Sequence, residues 1–446
     1  MPGLYFPRRP RAFCARASRG SRAGAPHGGA LLASRDVTLL FVMRAVRMFA
    51  YGLASVVLVL HLRAAGASES QAGLLLTLTF LGDTAVSLFV TTRADRAGRR
   101  RMLLVGALLM IAAGVAFAAS TSYAILAIAA TLGVLSPSGN EVGPFLPIEQ
   151  AALTQEIDPG RRTGTFAWYQ LTGALSTAAG ALVGGGAAEA LQRAGAAPLA
   201  SYRAAFALYA ALGVAVGALA LSLSPGVEAA RGGARVGGPL GLHRSRGVVL
   251  RLSALFSVDA FAGGFVVQSF VAWWFHQRFG AGPGLLGAIF FGANLLAGLS
   301  ALSAAAIARR IGLVNTMVAT HLPSNVLLAL VPLMPTLPLA IAVLLVRFSI
   351  SQMDVPTRQS YTLAVVDPDE RSAAAGITGI ARSVGTALAP LAAGPLYASA
   401  ALASVPFLVS GGLKIAYDLA LWRAFRHVRP PEERRERASD GASQSK

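Results

Sequence analysis

Twelve apolar stretches follow one another along this 446-residue chain, at roughly 38–62, 71–92, 102–119, 122–150, 164–187, 202–224, 249–275, 284–307, 313–334, 337–363, 373–400 and 403–424. Most approach the ~20 residues that a helix needs to cross a bilayer. In lipid, backbone polar groups must be satisfied without water, so runs of this length can span only as helices. The predicted fold class is an all-α integral membrane protein with twelve transmembrane helices. Charged residues make up 13% of the chain, against roughly 25% in soluble domains, which excludes an ordinary soluble fold.

The stretches divide into two sets of six. After the second stretch comes Asp95-Arg96-Ala97-Gly98-Arg99-Arg100-Arg101, and Arg309-Arg310-Ile311-Gly312 occupies the matching place in the second set. Short, basic, Gly-containing loops at equivalent positions indicate a bundle copied in tandem. The expected organisation is a basic cytoplasmic tail over 1–35, a six-helix bundle over 36–224, a cytoplasmic linker over 225–248, a second bundle over 249–424 and a cytoplasmic tail over 425–446. Pro225, Gly226, Gly232, Gly233, Gly237, Gly238 and Pro239 punctuate the linker.

The first loop resembles the G-x-x-x-D-R-x-G-R-R signature of the major facilitator superfamily, which Asp95, Arg96, Gly98, Arg99 and Arg100 match in register. Thr91 stands where the family usually has Gly, and Arg309 replaces the acid in the second copy. The resemblance implies two pseudo-symmetric six-helix bundles and transport by alternating access. It also implies a cavity lined by spans 1, 4, 7 and 10, and a signature loop that tethers the halves in the outward-open state. The family's proton-coupled drug exporters carry a Gly-Pro motif on span 5 and an Arg on span 4; both are missing here, which argues against a drug antiporter.

The net charge of +19 comes in small packets between the spans, so nucleic acid is not an expected partner. With both termini cytoplasmic, 29 of the 39 Lys and Arg lie inside, and only Arg63, Arg193, Arg203 and Arg278 lie outside. The expected location is the plasma or inner membrane. Residues 1–35, with seven Arg and no acid, read as a basic tail near lipid or as an organellar transit segment. Cys14 is the single cysteine, so neither an intrachain disulfide nor a Cys-based metal cage can form. The expected partners are membrane lipid, a small-molecule substrate and H⁺; no cofactor is expected, and the protein is expected to be a monomer.

Six acids and six bases interrupt the spans: Asp83, Glu141, Glu149, Asp259, Asp354 and Asp418 against Arg44, Arg47, Arg347, Arg358, Arg382 and Lys414. Each is costly in hydrocarbon unless paired or wetted, so each is a functional candidate. Arg44, Arg47, Tyr51 and Ser55 form one face of span 1, and Arg347, Ser351, Asp354, Arg358 and Tyr361 one face of span 10. The candidates for substrate or proton binding are Arg44, Arg47, Tyr51, Asn140, Glu141, Asp259, Arg347 and Asp354.

A shift of 209 superposes Pro147 and Gln150 on Pro356 and Gln359 and lays Glu149 on Arg358; a shift of 212 lays Arg47 on Asp259. Opposite charges at equivalent positions suggest pairs across the two halves. Glu149–Arg358, expected as an inner gate, and Arg47–Asp259 are the pairs this gives; Asp83–Arg382 is a further pair that the resemblance implies, since spans 2 and 11 meet across the halves in the family. Against this, Asp354–Arg358 and Lys414–Asp418 are spaced to neutralise each other on one helix, and a lone His321 reads as a packing residue.

Pro137, Gly139, Gly143, Pro144 and Pro147 should interrupt span 4 around Asn140 and Glu141. Beside that break and without an obvious local base, Glu141 is the expected proton carrier. The span 5 glycines read as close packing surfaces. These features point to a proton-coupled secondary transporter, export favoured over import, for an anionic or zwitterionic solute. No H-E-x-x-H, G-x-S-x-G or Walker-type motif occurs, which disfavours an enzyme or an ATP-driven pump. A non-transporting receptor or a membrane-embedded enzyme on the same scaffold is the alternative.

Overall fold

A computed structural model describes residues 35–141, 143–157, 162–228, 244–367 and 370–428, with helices and no strand among them. The 1–34 part of the basic tail, much of the linker and the end of the C-terminal tail lie outside the described residues, as do the side chains of Asp95 and Arg96. In the first half, α1 spans Arg35–Ala64, α2 Glu69–Ala97, α3 Arg99–Ala119, α4 Tyr123–Leu132, α5 Phe145–Glu156, α6 Arg162–Arg193 and α7 Pro198–Ser222. In the second, α8 spans Arg246–Gly264, α9 Gln268–Phe279, α10 Pro283–Ile311, α11 Leu313–Leu330, α12 Leu337–Phe348, α13 Asp354–Ala364, α14 Arg371–Tyr397 and α15 Val405–Phe425.

Among the described residues, nine segments are long and apolar enough to cross a membrane, α8 and α9 counting together as one. The stretch expected at 373–400 is α14, 27 residues long. The stretches expected at 122–150 and 337–363 are each divided into two short helices, α4 with α5 and α12 with α13.

The first division follows from the Pro and Gly cluster: Gly139 and Gly143 take φ of 69° and 83°, a left-handed backbone that side chains with a Cβ resist. Pro147 then falls in the first turn of α5, where its missing N–H is harmless. The break recurs in register, since α5 begins at Phe145 and α13 at Asp354, a shift of 209, with Pro356 again in the first turn. The polar stripe expected on one helix of span 10 is therefore split: Arg347 lies in the last turn of α12, Ser351 in the link, and Asp354, Arg358 and Tyr361 are on α13. The stretch expected at 249–275 is likewise two helices, α8 and α9, parted at Phe265–Val267 just after the Gly263-Gly264 pair.

Within the first half, α1 packs on α6 and α7, and α3 on α7; within the second, α8 packs on α14, and α11 on α15. The halves meet mainly through α6 with α10, α2 with α14, and α1 with α9. Glycine allows this approach. A Cβ on Gly185 would lie 2.1 Å from the Pro283 carbonyl oxygen, and one on Gly73 2.4 Å from that of Pro390. Facing away from the core, Leu108, Ile128, Val214 and Leu221 are each more than half exposed, an apolar surface suited to lipid rather than water.

Candidate functional site

In the first half, Arg44 and Arg47, one turn apart on α1, enter a cluster of charges. Arg44 Nη1 lies 2.7 Å from Glu141 Oε2, and Arg47 Nη2 2.9 Å from Glu141 Oε1. Arg47 also donates to both oxygens of Glu149, at 2.5 and 2.8 Å, the parallel fork that a planar guanidinium makes with a carboxylate. The Tyr169 hydroxyl donates to Glu149 as well, and Arg44 donates to Gln170 Oε1 at 2.5 Å. The Arg44 guanidinium stacks 4.3 Å from the Tyr169 ring centre. Gly173 makes room for it, since a Cβ there would come within 2.8 Å of the guanidinium. Of the charged members, Glu141 is the one that solvent reaches, its side chain being 13% exposed against 3% for Arg44; the neutral Gln170 is exposed.

The second half builds its own cluster on Asp259 of α8. Lys414 Nζ lies 2.6 Å away, Arg382 Nη1 2.9 Å and Arg358 Nη1 3.4 Å. Arg358 also pairs with Asp354 at 2.7 Å, the same-helix pair that its i, i+4 spacing allows. His321 lies 2.8 Å from Asp418 and 3.8 Å from Asp259, and Asn325 donates to Asp418 at 2.9 Å.

The cross-half pairs expected from the repeat and from the family resemblance are not formed in this conformation. Arg47 is paired with Glu141 and Glu149 rather than with Asp259, Arg358 with Asp354 and Asp259 rather than with Glu149, and Arg382 with Asp259 rather than with Asp83. Lys414 and Asp418 do not neutralise each other, because each finds a partner on a neighbouring helix. His321 is part of the charge cluster and not merely a packing residue. Glu141, expected to lack a base, has two guanidinium groups on it. Tyr51 is fully buried in α1, Asn140 is exposed on the α4–α5 link, and Arg347 lies against Phe348, 4.8 Å from its ring centre.

Among the described residues, hydrogen bonds between the halves gather at one end of the bundle. The backbone N–H of Ser269 donates to Pro137 O at 3.1 Å, and its hydroxyl reaches Ser55 O and Pro137 O at 2.7 and 2.8 Å. Gln268 Nε2 donates to the Ser55 hydroxyl at 2.7 Å. Farther out, Gly284 N–H at the start of α10 donates to Glu189 of α6 at 2.6 Å.

At the other end lies the signature loop. Gly98 holds φ at 101° and Gly312, its counterpart, at 88°. The Arg99 and Arg100 N–H groups donate to Glu228 at 2.6 and 3.4 Å, and the Arg100 guanidinium donates to Leu221 O at 2.8 Å. These bonds tie the loop to the end of its own half.

Sequence reading passed over Tyr169, Gln170, Gln268, Ser269 and Asn325 as site members. The first two carried a signal, a Trp-Tyr-Gln run on an apolar helix; the others are single polar residues whose partners lie on distant segments.

A family model described as Major Facilitator Superfamily matches residues 40–353 and 260–446. An uncharacterized membrane protein of Saccharomyces cerevisiae is 30% identical over 420 residues, covering 87% of this chain and 94% of that protein. Among solved structures, a bacterial homolog of the human lysosomal transporter Spinster, inward-facing and occupied, aligns with a TM-score of 0.68 at 14% identity, covering 88% of this chain and 97% of that one. The xylose transporter XylE from E. coli, in a partially occluded inward-open conformation, aligns with a TM-score of 0.66 at 13% identity, covering 90% and 99%.

Proposed function

The chain belongs to the major facilitator superfamily and is a multi-pass membrane transporter, and from that premise we propose that it moves a small solute by alternating access, with protons as the coupling ion. One observation supports this most. Among the described residues, each charge cluster is closed within its own half, and the hydrogen bonds between halves lie at the end built from Ser55, Pro137, Glu189, Gln268, Ser269 and Gly284. Halves that are internally braced and joined at one end can rock as bodies about the centre.

We read the opposite end, with both termini, as cytoplasmic in a cell membrane, an orientation that the positive-inside distribution of Lys and Arg supports. On this reading the described conformation is sealed outside and open inward. The Arg44–Glu141 pair, reached by solvent through Glu141, suits a zwitterionic or anionic solute whose carboxylate takes the place of Glu141 on Arg44.

The test is solute-dependent pH change in proteoliposomes that hold a pH dye, with pooled amino acids and organic acids outside and empty liposomes as control. Exchange against protons raises the lumen pH and supports export in the cell; co-transport lowers it and supports import. Tracer uptake without a pH change would remove proton coupling, and no uptake of any member of the pool would remove the proposed substrate class.

A further inference from the structure

Asp83 differs from the other membrane-embedded acids of the first half, because no Arg, Lys or His reaches it among the described residues, whereas Glu141 and Glu149 are both held by arginines. It lies midway along α2. Its Oδ1 is shielded from solvent and has no hydrogen-bond partner among the described residues. The groups facing it are Tyr51 from α1, Tyr209 from α7 and Glu141 from the α4–α5 link. All are neutral or negative, and the Tyr209 hydroxyl is already donated to Val134 O. A carboxylate within a membrane span is costly unless paired or wetted, and taking up a proton removes the charge.

The segment Gly133–Pro144 adds the mechanical half of the argument. It presents Glu141 to Arg44 and Arg47, and the Pro137 carbonyl to Ser269 of the opposite half. At its root, α2 and α4 touch backbone to backbone, since a Cβ on Gly82 would fall 1.8 Å from Thr131 O. A movement of this link when the halves part therefore reaches the acid, the charge pair and the seam together.

We propose that Asp83, and not Glu141, is the proton-carrying residue, with the Gly133–Pro144 link coupling its protonation to the Arg44–Glu141 pair and the Ser269 seam. This rests on the proton-coupled reading above. Asp83 takes a proton from water while the protein is open to one side and returns it to water on the other; an O–H bond forms and later breaks, and nothing else changes covalently.

The test is infrared titration of the carboxylic-acid C=O stretch, on purified full-length protein in lipid nanodiscs. The wild type should show an acid band that disappears as pH rises; it should be absent in Asp83→Asn, retained in Glu141→Gln and shifted in frequency in Asp83→Glu. In proteoliposomes Asp83→Asn should lose the solute-driven pH change but keep counterflow of the pooled solutes, which also shows that it is folded. A band that persists in Asp83→Asn, or a wild type without a titrating band, overturns the assignment. A titrating Asp83 in a wild-type protein that transports solute without moving protons overturns its transport role together with the coupling reading, and separates that failure from misplacement of the proton.

Discussion

Arg47 holds Glu149 through two hydrogen bonds of 2.5 and 2.8 Å, and both side chains are fully buried. The pair joins α1 to α5 inside the first half, at the position whose repeat-related partner in the second half is Arg358. Breaking a buried pair by removing one charge leaves the other uncompensated, which typically costs about 3–5 kcal/mol. Loss of either carboxylate leaves one positive charge of the cluster in excess: Glu149→Gln leaves Arg44 and Arg47 to share Glu141, and Glu141→Gln leaves Arg44 without a carboxylate. Glu149→Gln should lower the thermal midpoint of the purified protein markedly and Glu141→Gln less, because water reaches the Glu141 side chain, 13% exposed, and not that of Glu149. Equal losses in a thermal-shift assay would mean that the fork has no special weight.

Arg44→Ala removes the guanidinium that meets Glu141 and Gln170 but leaves Arg47 to compensate Glu141. Expression and monodispersity should persist while solute uptake falls about tenfold or more, the scale of losing a charge-assisted hydrogen bond. Arg44→Lys, a point charge without the planar fork, should recover only part of the uptake. Full uptake by Arg44→Ala would place the solute elsewhere.

Much of this architecture is legible in the sequence, and the division between what is and is not follows from physics. Apolar run length gives the spans, and the Pro137–Pro147 cluster gives the break in span 4. The equivalent break before Asp354 was available from the shift that carries Pro147 onto Pro356, but with few glycines nearby Ser349–Met353 reads as continuous helix. Partner choice is less legible. Periodicity tells which face a charge is on but not which neighbouring helix presents the opposite charge, so Lys414 looks matched to Asp418 along the chain and is in fact matched to Asp259 across helices. Asp83 shows the same limit: its distinction is the lack of a cationic partner, a property of packing that no spacing reveals.

Glu189 accepts the Gly284 N–H at the first turn of α10, a carboxylate capping a helix across the seam between halves. Such caps are worth about 1 kcal/mol. Glu189→Ala should shift the balance roughly fivefold toward states open at this end, seen as a longer distance between spin labels at Ala194 and Gln277 in a Cys14→Ser background. An unchanged distance distribution would make the contact incidental.

Gly73→Val tests the same seam sterically. A Cβ at this position would meet Pro390 O at 2.4 Å, so α2 and α14 could not approach. The variant should fold, stay open at this end and fail to transport. Wild-type uptake would show that the α2–α14 contact is dispensable.

At the opposite end, Glu228 caps the start of α3 by accepting from Arg99 and Arg100 N–H. Glu228→Gln should lower stability by about 1 kcal/mol without changing solute selectivity. Gly98→Ala should cost about 1–2 kcal/mol more for its left-handed backbone, the added Cβ lying 3.3 Å from the Glu228 carboxylate. Thermal midpoints of the two variants, with uptake of several solutes in parallel, check both points.

The most direct test of alternating access is a paired distance measurement on the two ends in lipid: spin labels at Ala194 and Gln277 for the seam end, and at Arg101 and Arg310 for the end of the signature loops, compared across pH and with and without the solute pool. Alternating access predicts opposed changes, the first distance lengthening in the population in which the second shortens. Two distances that stay fixed, or that lengthen together, would contradict it.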